Sequence, residues 1–251
     1  MDKHLNIFYS YNQDNELIEN NLTRAFIVSI RFLSENTKGH FIKLLLGNYI
    51  SYIDSIINPV MPDYTKMKFS FQGHMNKKKT RSFKHSFILA IATEFYEKDE
   101  NYIGFYENSI PDAWMYDDEK GLCFLIESKV GQNPLDKMQL NSHAHEWLGL
   151  DEQEEINKRI LSIKWFDLLT AIEQLHVLYN KGELAMNQQE LLIIQSLKEY
   201  LGFYGYKVFK GFNYNNLTEI PKFFFPFIKF GKVKSIHFPS LLSPPNFIIK
   251  G

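Results

Sequence analysis

Residues 110–129 read IPDAWMYDDEKGLCFLIESK. The run Leu122-Cys123-Phe124-Leu125-Ile126 is continuously apolar, as a strand buried on both faces is. Asp117-Asp118-Glu119-Lys120-Gly121 is turn chemistry between two strands. Pro111 ends an extended segment, and Asp112 follows it directly. A hairpin of this length brings Asp112 back beside Glu127. The strand period of two then places Glu127 and Lys129 on one face. Two carboxylates and an ammonium at one strand end are suited to metal-assisted phosphodiester cleavage. Mg²⁺ takes one or two carboxylates and completes its shell with water and phosphate oxygens. It acidifies a bound water and neutralises charge on the phosphate. Lys129 would orient the water or meet the developing charge. The plain alternative is a solvated hairpin with an ordinary ion pair.

Three features around this hairpin bear on the choice. Residues 16–33 place Leu17, Ile18, Leu22, Phe26, Ile30 and Leu33 at helical spacing, so one stripe is buried. Glu19 stands at the edge of that stripe, where it would reach a metal at a sheet edge or simply pair with Arg24. After the strand, Gly131-Gln132-Asn133 is a turn and Pro134 suits the first turn of a helix. Gln139 and His143 are four apart on that helix and share a face. They would hydrogen-bond a phosphate or a base there, or else stand solvated; His145 is a lesser candidate.

The order Glu19, Pro111-Asp112, Glu127-Ser128-Lys129, Gln139 with His143 resembles the PD-(D/E)XK nuclease superfamily, the restriction-endonuclease-like fold. Gln139-Leu140-Asn141-Ser142-His143 is similar to the QxxxY element of its RecB-like and Cas4-like branches, with His where those have Tyr. The resemblance covers roughly residues 16–147. It implies an α/β fold with a mixed central sheet flanked by helices, Mg²⁺ or Mn²⁺ dependence and nucleic-acid cleavage. Asp112, Glu127 and Lys129 would form the core site, Glu19 an auxiliary ligand, and Gln139 a supporting residue. The expected substrate is nucleic acid, DNA ahead of RNA, in the setting of prokaryotic defence or a mobile element. An RNase with the same residues, or a non-catalytic binding or scaffold subunit, are the alternatives.

At 251 residues the chain can bury a full core. Its 45% hydrophobic and 23% charged content is that of an ordinary globular protein. No apolar run approaches a membrane span, and the start of the chain does not read as a secretory signal. The lone Cys123 excludes an intrachain disulfide and a thiolate zinc site, and fits a reducing cytoplasm. The net charge of −1 gives no global attraction to nucleic acid, so local basic surface must supply it. The densest cluster is Lys77, Lys78, Lys79 and Arg81, with Lys84 beyond. It is expected as a phosphate-contacting loop, or as a solvated loop protecting a sheet edge.

The remaining elements are read from periodicity. One helix is expected over 37–57 and a half-buried strand over 67–71. The apolar run 87–93 suits strand or helix, and its bracketing by the basic loop and by Glu97-Lys98-Asp99-Glu100 favours a short buried strand. A strand beginning at Tyr102–Tyr106 is expected to end at Pro111-Asp112. A single long helix is expected from Asp151 to about Leu178 and another over 188–201. Residues 1–180 are expected as the nuclease-like core, and 181–251 as a helical and aromatic-rich extension. Residues 201–251 hold seven Lys against one acid, Glu219, and thirteen of thirty-six Phe and Tyr. These rings are expected as core, as an oligomer or regulatory-partner interface, or as a base-stacking platform.

Overall fold

The structure, a computed structural model, describes residues 7–8, 18–57, 62–71, 75–96, 104–131 and 133–207, with side chains from residue 21 onward in the first helix. The expected aromatic platform from residue 208 onward, Tyr102 and Gln132 lie outside the described residues. The elements are α1 (Ile18–Arg31), α2 (Glu35–Leu45), α3 (Ile50–Ile57), β1 (Lys68–Phe71), α4 (Lys77–Arg81), β2 (His85–Ala92), β3 (Ala113–Asp117), β4 (Leu122–Ser128), α5 (Lys137–His143), α6 (Gln153–Arg159), β5 (Ile160–Lys164), α7 (Trp165–Asn180) and α8 (Gln188–Phe203).

The strands form one mixed sheet in the order β1-β3-β4-β2-β5. β3 runs antiparallel to β1 and β4, and β2 runs parallel to β4 and β5. The chain is therefore α/β with a helix-flanked mixed sheet, as expected. β2 and β4 are central and buried along nearly their whole length, so both read as continuous apolar runs rather than alternating ones. Phe87, Leu89, Ile91, Phe124 and Ile126 face one core with α1, α2, α3, α7 and α8. Ile88, Ala90, Cys123 and Leu125 face a second core with α5 and α6. The long core side chains of α8, Ile194, Leu197, Tyr200 and Leu201, belong to the first of these.

Four elements depart from expectation. The 37–57 helix breaks into α2 and α3 through a tight turn at Gly47–Tyr49. Gly is a poor helix former, and Tyr49 is tied to β5: its hydroxyl donates to Ser162 O at 2.7 Å. The basic cluster is not a loop but the short helix α4, whose start is capped by Asn76 accepting from Lys79 N at 2.8 Å. The described residues 104–112 contain no strand, and β3 begins only at Ala113. Pro111 has no N–H to give to a ladder. The expected helix over 151–178 is cut by β5. Ile160, Leu161, Ser162 and Ile163 are all buried, and a segment buried on both faces suits the open edge of β2 better than an amphipathic helix does.

Candidate active site

The β3–β4 hairpin sets the geometry. Its register pairs Asp117 with Leu122 and Ala113 with Ile126. Asp112 continues it, donating from its backbone to Ile126 O at 3.0 Å, and so stands opposite Glu127. Gly121, with φ of +64°, closes the turn in the left-handed region that Gly enters without a Cβ penalty. The alternation of β4 turns Glu127 to the same face as Cys123 and Leu125, and Ser128 to the face of α1.

Glu127 is 1% exposed. Its Oε2 lies 2.9 Å from His143 Nε2. Its Oε1 is buried and makes no hydrogen bond; the Lys129 ammonium is 3.0 Å away in ion-pair contact. That contact confirms the shared face of Glu127 and Lys129. Asp112 is half-buried, and its Oδ2 accepts from Ser128 N and Ser128 Oγ, both at 3.0 Å. Burial first, and the Glu127 carboxylate second, push Asp112 up to about 7 against the hydrogen bonds and Lys129, which favour its charge. Two carboxylates that repel in a low-dielectric site are short of positive charge.

The surrounding elements fix this pair. Lys129 N donates to Ile91 O at 2.8 Å, and Trp165 Nε1 donates to Lys129 O at 2.8 Å. The strand end is thus clamped between β2 and α7. Thr23 of α1 is hydrogen-bonded to Ser128 Oγ, which in turn holds Asp112. Glu19 lies one turn before Thr23 on the α1 backbone; its side chain is outside the described residues. The loop that delivers Asp112 is latched onto the α5 region: Tyr106 N donates to Ser142 Oγ at 2.7 Å, Asn108 N to Glu146 Oε1 at 2.9 Å, and Trp147 Nε1 to Ser109 O at 2.8 Å. Ala144–Leu148 form a single wide π-turn there, a distortion frequent at functional sites.

Gln139 is on α5 and half-buried, with its backbone N 3.4 Å from the capping Asp136 carboxylate. His143 is a correction. It is completely buried, with Nδ1 3.4 Å from Ser109 Oγ, so it braces Glu127 from behind and does not face a phosphate or a base in solvent. The cations of the basic cluster are exposed, and several of them make ion pairs or hydrogen bonds within the chain. Lys77 pairs with Glu146 at 2.9 Å. Arg81 donates to His145 O and Glu146 O at 3.1 and 2.9 Å. Lys79 lies 3.6 Å from Asp118, at the opposite end of β4 from Glu127, roughly 20 Å of strand away. These cations hold the hairpin turn and the π-turn; Lys78 and Lys84 stay exposed. Reading residues one at a time also left Ser128, Thr23 and Ser109 without a role. The available signal was weak: Thr23 is a polar residue beside Leu22 in the apolar stripe of α1.

Among the described residues no group of three His, Cys, Asp or Glu could hold a metal. Asp112 and Glu127 supply two carboxylates, which does not fit a closed protein cage but does fit Mg²⁺ or Mn²⁺. The buried, unsatisfied Oε1 of Glu127 and the raised Asp112 are what a divalent cation would relieve. Among the described residues no helix is long and apolar enough to cross a membrane. No family model, curated protein or solved structure matches the chain.

Proposed function

We propose that this chain is a divalent-metal-dependent phosphodiester hydrolase acting on nucleic acid, with DNA as its expected substrate, built as a restriction-endonuclease-like core of the PD-(D/E)XK kind. The observation that carries the reading is the juxtaposition of Asp112 with a buried Glu127 whose Oε1 makes no hydrogen bond among the described residues and lies in ion-pair contact with the Lys129 ammonium.

Asp112 and Glu127 would hold the cation, with Glu19 as a further ligand from α1. When bound, Mg²⁺ or Mn²⁺ supplies Lewis acidity to the phosphate and acidifies a water. His143 fixes Glu127 by its Nε2 contact, the orientation that ligating carboxylates need. Ser128 holds one oxygen of Asp112 through two donors. Lys129 is rigid in its backbone and placed by Glu127, so its ammonium can orient the attacking water and meet charge developing on the phosphate without reorganising. Gln139, on the helix above, adds a neutral donor for a phosphate oxygen.

The deciding experiment is nicking of supercoiled plasmid in Mg²⁺ or Mn²⁺ by wild type and Glu127→Ala, with EDTA as control. Metal-dependent nicking lost in the variant supports the reading. No cleavage of DNA or RNA by the wild type, with nucleic-acid binding intact in the variant, would replace it with a binding role.

A further inference from the structure

A cavity of about 460 Å³ opens beside the strand ends, and none of the chemistry above uses it. Its walls combine apolar residues, among them Ala92, Phe95 and Leu135, with the polar Thr93, Asn133 and Lys137. Its place relative to the carboxylates follows from the sheet. Ala90 of β2 is the partner of Glu127. Ala92 is two residues further along the same face, and Ala90, Ala92, Tyr96 and Leu135 share one apolar cluster. The cavity therefore begins next to Lys129, on the face to which Glu127 turns.

The chemistry of the walls selects the occupant. Ala92, Pro134 and Leu135 give the cavity an apolar wall suited to a ring, and Thr93, Asn133 and Lys137 add polar groups beside it. Phe95 is 53% exposed and lines the cavity. The Lys164 ammonium lies 4.3 Å from its ring centroid and 3.2 Å from Glu94, so the ring is held in place by a cation on one side. The volume is in the range of small-ligand pockets. A largely apolar slot with a fixed ring, beside the proposed phosphodiesterase site, has the chemistry for a flat base attached to the scissile phosphate.

We propose that this cavity holds one unstacked nucleobase next to the scissile phosphate, and that the preferred substrate is single-stranded nucleic acid. The proposal rests on the phosphodiesterase reading for the position of that phosphate. A paired base cannot enter, because its faces are covered by its stacked neighbours and its edge by its partner. Phe95 is the stacking residue, and Lys164 positions it.

The test measures fluorescence anisotropy of short labelled oligonucleotides in EDTA: single-stranded DNA, single-stranded RNA of the same sequence, and the blunt DNA duplex. Cleavage of the same probes in Mg²⁺ is followed in parallel. Phe95→Ala should weaken single-strand binding about tenfold and leave duplex binding within about twofold, while Phe95→Trp keeps single-strand binding near wild type. DNA and RNA should lose alike, since the ring reads the base and not the sugar. Wild type that binds no single strand, or Phe95→Ala that binds it unchanged, would overturn the proposal. Phe95-dependent binding with no cleavage would sink the hydrolase reading and leave the base pocket standing. Cleavage with Phe95-independent binding would do the reverse.

Discussion

Glu190 and the Asp112–Glu127 pair are both carboxylates withdrawn into the protein, and they are treated in opposite ways. Glu190 is 3% exposed. Its Oε1 accepts from Ser34 N and Ser34 Oγ at 2.9 and 2.7 Å, and its Oε2 accepts from Asn187 N at 2.9 Å. Burial alone would raise it, yet the hydrogen bonds from Asn187, Ser34 and Thr37 hold it below the usual carboxylate range. It joins the start of α8 to the start of α2, a capping box shared by two helices. Asp112 is pushed up to about 7 instead, facing a Glu127 whose Oε1 makes no hydrogen bond among the described residues and lies in ion-pair contact with Lys129. Burial is common to both. What differs is whether the backbone supplies donors to both oxygens or leaves room for a cation. The first arrangement is architecture. The second costs stability, as functional sites do.

That contrast can be broken experimentally. The largest effect is expected at the open site: Glu127→Ala or Lys129→Ala should cut metal-dependent cleavage by about a thousandfold, whereas Glu190→Gln should leave the rate per folded molecule unchanged. Plasmid nicking at matched folded concentration separates them, and a Glu190 variant as inactive as Glu127→Ala would dissolve the distinction. His143→Ala should cost roughly 10–100-fold in metal affinity or rate with the fold retained, as read by metal titration and circular dichroism. Unchanged metal affinity and rate would reduce His143 to core filling.

Stability gives effects of opposite sign. Asp112 binds its proton more tightly folded than unfolded. Its contribution is therefore fully present below the unfolded value of 3.8 and is lost as pH rises through about 7. In EDTA at pH 8, Asp112→Asn should stabilise the chain by about 2 kcal/mol, and the gain over wild type should shrink towards pH 5. Adding Mg²⁺ at a hundred times its Kd should stabilise wild type by about 2.7 kcal/mol and the Asn variant by much less. Thermal melts across this window check both. Glu190, being depressed, contributes stability above the unfolded value of 4.5 that is lost as pH falls through its lowered value. Glu190→Gln should destabilise by about 2 kcal/mol near neutrality. The smallest change is expected at the exposed Lys78 and Lys84, whose replacement by Ala should move stability by under about 0.5 kcal/mol. A large loss of nucleic-acid affinity there would return the basic helix to the substrate path.

Much of the hairpin was legible beforehand. A turn of defined length and strand alternation are local rules, so they placed Asp112 opposite Glu127 and Lys129 on Glu127's face without reference to the rest of the chain. α1, β1 and α8 followed from local pattern in the same way, and β2 from an apolar run bracketed by charged segments. The elements that escaped share a cause. β5 is a strand because β2 has an open edge for it; α2 and α3 separate because Tyr49 is tied to Ser162; α4 and its cations serve the π-turn and the hairpin turn. Each depends on a partner far along the chain.

The sequence by itself determined the α/β pattern, the register of β3 on β4, and which residue types meet at the strand end. Only the tertiary structure decided that His143 stands behind Glu127, that Thr23 and Ser128 hold Asp112, that Lys77 and Lys79 pair with Glu146 and Asp118, and that a cavity lined by Phe95 and Tyr96 opens beside Lys129. The physical reason is range. Backbone geometry and side-chain alternation act over a few residues. Desolvation, hydrogen-bond satisfaction and charge pairing are settled by neighbours that the fold brings in from tens or a hundred residues away.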